Sequence, residues 1–204
     1  MLNTEKLFEF KKYINTVQAY LNKCFENQSE YLFCKKGCAH CCKRGTYPYS
    51  ELEFEFLMFG YINLSQNVQL QICENILSLK KEAELQSKND TFYYKCPFLT
   101  SEDICALYEY RGIVCRNFGI LQIDSNNKVS MPFCETLGLN YSNIYDNNQE
   151  KFDYSLVNKL GFKNIPKPFP VSRNLLMDKD IFENMSIVFG ETKPLYEWLI
   201  KSGF

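Results

Sequence analysis

Histidine occurs once in this chain of 204 residues, at position 40, and tryptophan also occurs once. A cysteine nucleophile needs a base and an orienting group beside it. One imidazole, with no visible Cys–His–Asn pattern, gives that chemistry little to work with. No stretch approaches the ~18 apolar residues that a membrane span requires, so no membrane partner is expected. The opening MLNTEKLFEFKKY lacks both an uninterrupted apolar run and a small-residue cleavage site, so no signal peptide is expected. Charge of one sign is also lacking. The net charge is −1 and the pI is about 6.0, which argues against a broad nucleic-acid surface. There is no internal repeat and no low-complexity tract.

What is abundant is aromatic residues and cysteine. Apolar residues make up 46 % of the chain, with seventeen Phe and fourteen Tyr. A chain of this length buries roughly 70 % of its unfolded surface and does not need covalent staples to hold a core. Length suits one domain over 1–204, with a cysteine-cluster core at 33–134 and a C-terminal appendage, 140–204, packed on it. The ten cysteines fall below the density of a disulfide scaffold. The expected compartment is the reducing cytoplasm, where clustered cysteines point to metal or redox chemistry.

Periodicity predicts a mainly α fold with a small β-hairpin, an α+β arrangement of helices around a cysteine-ligated metal centre. Leu7, Phe10, Ile14, Val17, Leu21 and Cys24 form the apolar stripe of a helix over about 4–27, with Asn3 or Thr4 as cap. The run from Tyr49 is ambiguous. Leu52, Phe54 and Phe56 alternate with glutamates as in a strand, whereas Ser50 and Glu53 make a capping box; helix is the reading taken. A helix follows from Ser65 to about 88. GILQIDSNNKVSMPF reads as two short strands around a turn. Residues 140–149 read as a polar surface connection, then a helix near 150–160, an extended IPKPFP, and a last helix over 193–202 with Pro194 in its first turn.

Cys24 and Cys73 fall on or beside apolar helix stripes and read as core hydrophobes. Eight cysteines remain: Cys34, Cys38, Cys41, Cys42, Cys96, Cys105, Cys115 and Cys134. They form two blocks separated by two helices, a pattern that makes sense if the fold joins the blocks. Cys38-Ala39-His40-Cys41 is a CxxC pair, whose tight turn presents two sulfurs to one metal; zinc and iron–sulfur sites both use it. Gly37 eases the backbone before it. Adjacent side chains diverge, so Cys41 and Cys42 are expected to face two sites, or one to bind and one to pack, unless a multi-iron cluster relaxes the constraint. Lys35, Lys36, Lys43, Arg44, Arg111 and Arg116 flank the cysteines, and positive neighbours favour thiolate. His40 reads as a surface residue, with a ligand or outer-shell role as the alternative. The Cys34-x3-Cys38-x2-Cys41 spacing also matches radical S-adenosylmethionine enzymes, but the alternating strands and helices of their barrel are missing.

Taken together, FCKKGCAHCCKRG, Cys96-Pro97-Phe98-Leu99, the Cys105–Gly112 stretch CALYEYRG and Cys115-Arg116-Asn117-Phe118 resemble the CxxCxxCC family, the YkgJ-like zinc- or iron-chelating domain proteins. The resemblance covers about 33–120. Leu107 stands where Ile is usual, and Gly112 where Pro is usual, which would loosen the turn before Cys115. The resemblance implies a cysteine-ligated centre, an iron–sulfur cluster of the 4Fe-4S type or zinc. Cys134 is a further candidate ligand. Arg111, Arg116, Tyr108 and Glu109 are implied to border the cofactor, Tyr108 and Glu109 by orienting the arginines. Phe98, Leu99 and Phe118 are expected to keep water off the sulfurs. A relative with a similar cysteine arrangement is the flagellin lysine N-methylase, though no glycine-rich methyl-donor loop is visible here. The functions implied are a cysteine-cluster iron–sulfur protein, a structural zinc protein acting as an interaction module, or an S-adenosylmethionine-dependent methylase-like enzyme, with a protein as partner or substrate.

Overall fold

A computed structural model describes residues 4–86, 91–178 and 187–203. Helix α1 spans Thr4–Asn27, α2 His40–Lys43, α3 Glu51–Ile62, α4 Gln66–Leu85, α5 Ile113–Arg116, α6 Tyr154–Lys159, α7 Arg173–Leu176 and α8 Leu195–Lys201. The strands are β1 Pro48–Ser50, β2 Gln122–Ile123, β3 Val129–Ser130, β4 Tyr145–Asp146, β5 Lys151–Phe152 and β6 Thr192–Pro194. They pair antiparallel as β1 with β6, β2 with β3 and β4 with β5. The molecule is therefore mainly α with small β elements, as expected, but with three two-stranded pairs where one hairpin was foreseen. The expected cap Asn3 lies outside the described residues, as do residues 87–90, where the helix from Ser65 was expected to end.

The apolar stripe of α1 is fully buried. Phe10, Val17 and Leu21 have no exposed surface, and burying each such side chain is worth about 1.5–3 kcal/mol. They pack on Leu52 and Phe56 of α3 and on Ile113, Val171 and Leu176. A second cluster joins Leu57 of α3 to Ile72, Ile76 and Leu79 of α4 and to Leu195 and Leu199 of α8. Helix α3 is buried on two faces, which explains why its sequence reads as continuously apolar. Its capping box is complete: Ser50 Oγ accepts from the Glu53 backbone N–H, and Glu53 Oε2 accepts from Ser50 N at 2.8 Å.

Two expectations about the C-terminal half need correction. Residues 140–149 are not a surface connection. Asn140, Tyr141 and Ile144 are buried, the latter two in a third cluster with Tyr31, Leu121 and Val157. Pro194 is not inside the last helix; it ends β6, opposite Pro48, and caps α8. The hairpin around Asp124 is as expected, with Asp124 Oδ1 accepting from the backbones of Asn126 and Lys128.

Candidate metal centre

Short backbone bonds bring the two cysteine blocks together. Gly45 and Tyr94 exchange both backbone hydrogen bonds at 3.1 Å, and Cys96 N donates to Cys42 O at 2.8 Å. Leu99 and Cys105 form an antiparallel bridge, so 96–105 is a tight hairpin. Asn75 of α4 holds it by donating to Pro97 O at 2.9 Å. Gly37, with φ of +87°, makes the turn before Cys38, a conformation that suits glycine. Tyr47 Oη donates to Cys41 O at 2.9 Å, anchoring the loop to the second core.

Cys34, Cys38, Cys41 and Cys42 from the first block, and Cys96, Cys105 and Cys115 from the second, line one cavity of about 720 Å³. Cys134 does not line it. It is buried behind, in the turn Phe133–Leu137, where Cys34 and Cys38 are the nearest thiols acting on it. Cys24 is buried in the first core, as expected. Cys73 is half-buried with its sulfur 3.0 Å from Tyr61 Oη. His40 is exposed at the start of α2.

The arginines expected at the site are there. Arg116 is buried and donates to three neutral acceptors: Arg111 O at 2.9 Å, Glu109 O at 2.6 Å and Gln18 Oε1 at 2.8 Å. Burial, then the charge of Arg111, lowers its pKa to about 10. The Arg111 guanidinium lies 3.7 Å over the Tyr108 ring, and its buried Nε has no hydrogen-bond partner. Among the described residues neither arginine has a carboxylate partner. Glu109 holds Arg116 through its backbone carbonyl. Of the other flanking cations, Lys43 pairs with Asp103 at 2.6 Å, and Arg44 lies over Tyr93.

Three further residues, invisible as site residues in the sequence, set the sulfurs. Tyr49 Oη accepts from Gly112 N at 2.8 Å and lies 3.5 Å from Cys115 Sγ. Glu53 Oε1 accepts from Ile113 N at 2.8 Å, while Arg173 donates to Oε2 at 2.5 Å. The turn before Cys115 is thus tied down, not loosened. Glycine is required at 112, because a Cβ there would meet Tyr49 Cζ at 2.8 Å. Asn140 Nδ2 donates to Cys34 Sγ at 3.2 Å and to Gly119 O at 2.9 Å. Cys34 is exposed as a residue, yet its sulfur lies 2.6 Å from where a Cβ on Gly119 would be.

Burial pushes the thiols of Cys34, Cys96 and Cys105 up, and those of Cys115 and Cys134 up to about 12. The Cys42 thiol is raised first by its contact with Cys41 and then by burial. Among the described residues no three Cys, His, Asp or Glu side chains are drawn up to close on one ion. The closed ligand set expected from the sequence is therefore not formed. The backbone gathers the donors; metal–sulfur bonds would be what pulls four sulfurs onto one point. Cys41 and Cys42 lie together in the cavity wall. Their sulfurs lie 3.9 Å apart.

Among the described residues no helix is long and apolar enough to cross a membrane. Comparison with family models, with curated proteins and with solved structures finds no match to this chain.

Proposed function

We propose that this protein binds metal through its cysteine cluster, as an iron–sulfur protein in the first instance. The observation that carries the reading is the charge pattern of the cavity. Seven cysteines face the same space as two arginines that make no ion pair among the described residues, although Glu26 and Asp103 also line it. A centre bound by four thiolates is anionic and supplies the missing countercharge. Arg111, with its unpartnered Nε, and Arg116 would stabilise it; Tyr108 and the Glu109 carbonyl position them. Asn140 and Tyr49 place hydrogen-bond donors at Cys34 and Cys115, a placement that tunes and orients sulfur ligands.

The donor set, thiolates with no imidazole among the cavity's lining residues, suits iron–sulfur clusters and zinc alike. The volume of about 720 Å³ has room for a cluster as well as for a single ion. The deciding measurement is iron, zinc and acid-labile sulfide in protein purified without oxygen. Iron with equal sulfide is expected. Zinc without sulfide would make the loop a structural clasp. Protein that holds neither, even after reconstitution with iron and sulfide or with zinc, would overturn the reading.

The same volume favours a second reading, in which part of the cavity takes a small molecule beside the metal, as an S-adenosylmethionine-dependent enzyme would. Equilibrium dialysis of the metal-loaded protein against S-adenosylmethionine tests it; no retention would remove it.

A further inference from the structure

Cys41 and Cys42 are the one pair of adjacent cysteines in the chain. Their sulfurs lie 3.9 Å apart, and both residues are half-buried in the cavity wall, where a small oxidant can reach them. Two other thiols of the cavity already have polar partners. Cys34 Sγ accepts from Asn140 Nδ2 at 3.2 Å, and Cys115 Sγ lies 3.5 Å from Tyr49 Oη. Cys41 and Cys42 have each other.

A bond between them would draw the sulfurs from 3.9 Å to about 2.0 Å. Consecutive Cα atoms are about 3.8 Å apart, below the roughly 4.4–6.8 Å usual for a disulfide. The ring that closes is therefore strained, and strained disulfides are the readily reduced, regulatory ones. The strain falls on one peptide. Its carbonyl, Cys41 O, accepts from Tyr47 Oη at 2.9 Å, and its N–H, that of Cys42, donates to Ala39 O at 2.8 Å. The next carbonyl, Cys42 O, accepts from Cys96 N at 2.8 Å. Twisting this peptide pulls on the bonds that tie the first cysteine block to Tyr47 and to the second block.

We propose that Cys41 and Cys42 are a peroxide-sensitive modification site, where a vicinal disulfide closes the cavity to metal until a thiol reduces it. The effect on metal rests on the metal-binding reading above; the disulfide does not. One cysteine sulfur attacks a peroxide oxygen, the O–O bond breaks, and a sulfenic acid and one water form. The neighbouring sulfur then attacks the sulfenic sulfur. The S–O bond breaks, and the hydroxyl leaves as a second water with the proton of the attacking thiol. The two sulfurs lose two electrons, and the peroxide gains them. Thiol exchange reverses the step. In the oxidised form Cys41 no longer offers a thiolate beside Cys38 in the CxxC turn.

The test uses the full metal-free chain, treated with stoichiometric hydrogen peroxide, capped with iodoacetamide in denaturant and mapped by peptide mass spectrometry. The peptide carrying Cys41 and Cys42 is expected uncapped and lighter by two hydrogens, with the other cysteines capped. Dithiothreitol before capping is expected to restore both caps. The proposal is overturned if Cys41 and Cys42 are capped after peroxide, bonded to other cysteines, or carried on to sulfinic acid. Uptake of zinc, or of iron with sulfide, is the second readout. It is expected in the reduced chain, absent after peroxide and regained after dithiothreitol, with helical circular dichroism kept throughout. A vicinal disulfide that leaves uptake unchanged, or that unfolds the chain, overturns the switch. A reduced chain that takes up no metal sinks the metal-binding reading instead, and the peptide map then decides the modification site by itself.

Discussion

The backbone N–H of Cys96 donates to the carbonyl of Cys42 at 2.8 Å, so cysteine blocks separated in sequence by two helices meet at a single peptide bond. A metal that binds this form and not the unfolded chain adds stability according to its concentration and affinity.

Removing the metal should therefore loosen the protein without abolishing its fold. Anaerobic protein melted before and after dialysis against a strong chelator is expected to show a lower midpoint in the stripped sample, with helical circular dichroism retained at room temperature. Identical melts would argue that no metal contributes to stability.

Gly112→Ala should destabilise the protein by about 1–3 kcal/mol, the range for overpacking a close-packed site. The new methyl group would meet the buried Tyr49 ring at 2.8 Å and Glu53 Oε1 at 3.0 Å. Gly112→Pro should cost more, since it also removes the N–H that Tyr49 accepts. Urea denaturation measures both. A Pro variant as stable as wild type would show that the Tyr49 contact has no weight.

Glu53→Gln should cost about 3–5 kcal/mol, the range for breaking a buried ion pair from one side. Glu53 is wholly buried and meets Arg173, itself nearly buried, at 2.5 Å. The same substitution weakens the hold on Ile113 N, at the start of the helix that carries Cys115. Chemical denaturation gives the first effect, and metal content of the folded variant gives the second. A loss below about 1 kcal/mol, the ceiling for a solvated pair, would contradict the buried pairing.

Chelator-stripped protein should lose stability as pH rises above about 9. Cys115 and Cys134 have folded pKa values raised from 9.0 to about 12 by burial. The folded state therefore keeps protons that the unfolded chain gives up, so their contribution is complete below pH 9 and is lost on the way to 12. Arg116, lowered to about 10 by burial, acts in the opposite direction only above that value. Urea midpoints at about pH 8 and about pH 10 make the comparison. A midpoint that holds or rises would contradict the buried, protonated thiols.

Local features were legible in the sequence. The stripe of α1 follows from spacing, the start of α3 from Ser50 and Glu53, and the turn at Asp124 from its residue types. The cysteine blocks, too, announced their meeting. What was not legible depends on distant partners. Glu53 reads as a cap three residues from Ser50, but its bonds to Ile113 and Arg173 span 60 and 120 residues. Tyr49 looks like one more aromatic. Asn140 opens a polar stretch, and its burial comes from Tyr31, Leu121 and Ile144 closing the third cluster around its neighbour Tyr141.

Strand β1, which carries Tyr49, is completed only by β6, and Trp198 Nε1 donates to Tyr49 O at 2.9 Å. The wall beside Cys115 therefore waits on residues made some 60 positions after Cys134, the last cysteine. At roughly 5–20 residues per second, the growing chain carries all ten thiols for several seconds before that wall can form. During synthesis the sulfurs are thus open on one side, and the order of translation leaves an interval for metal to enter and for oxidants to reach them.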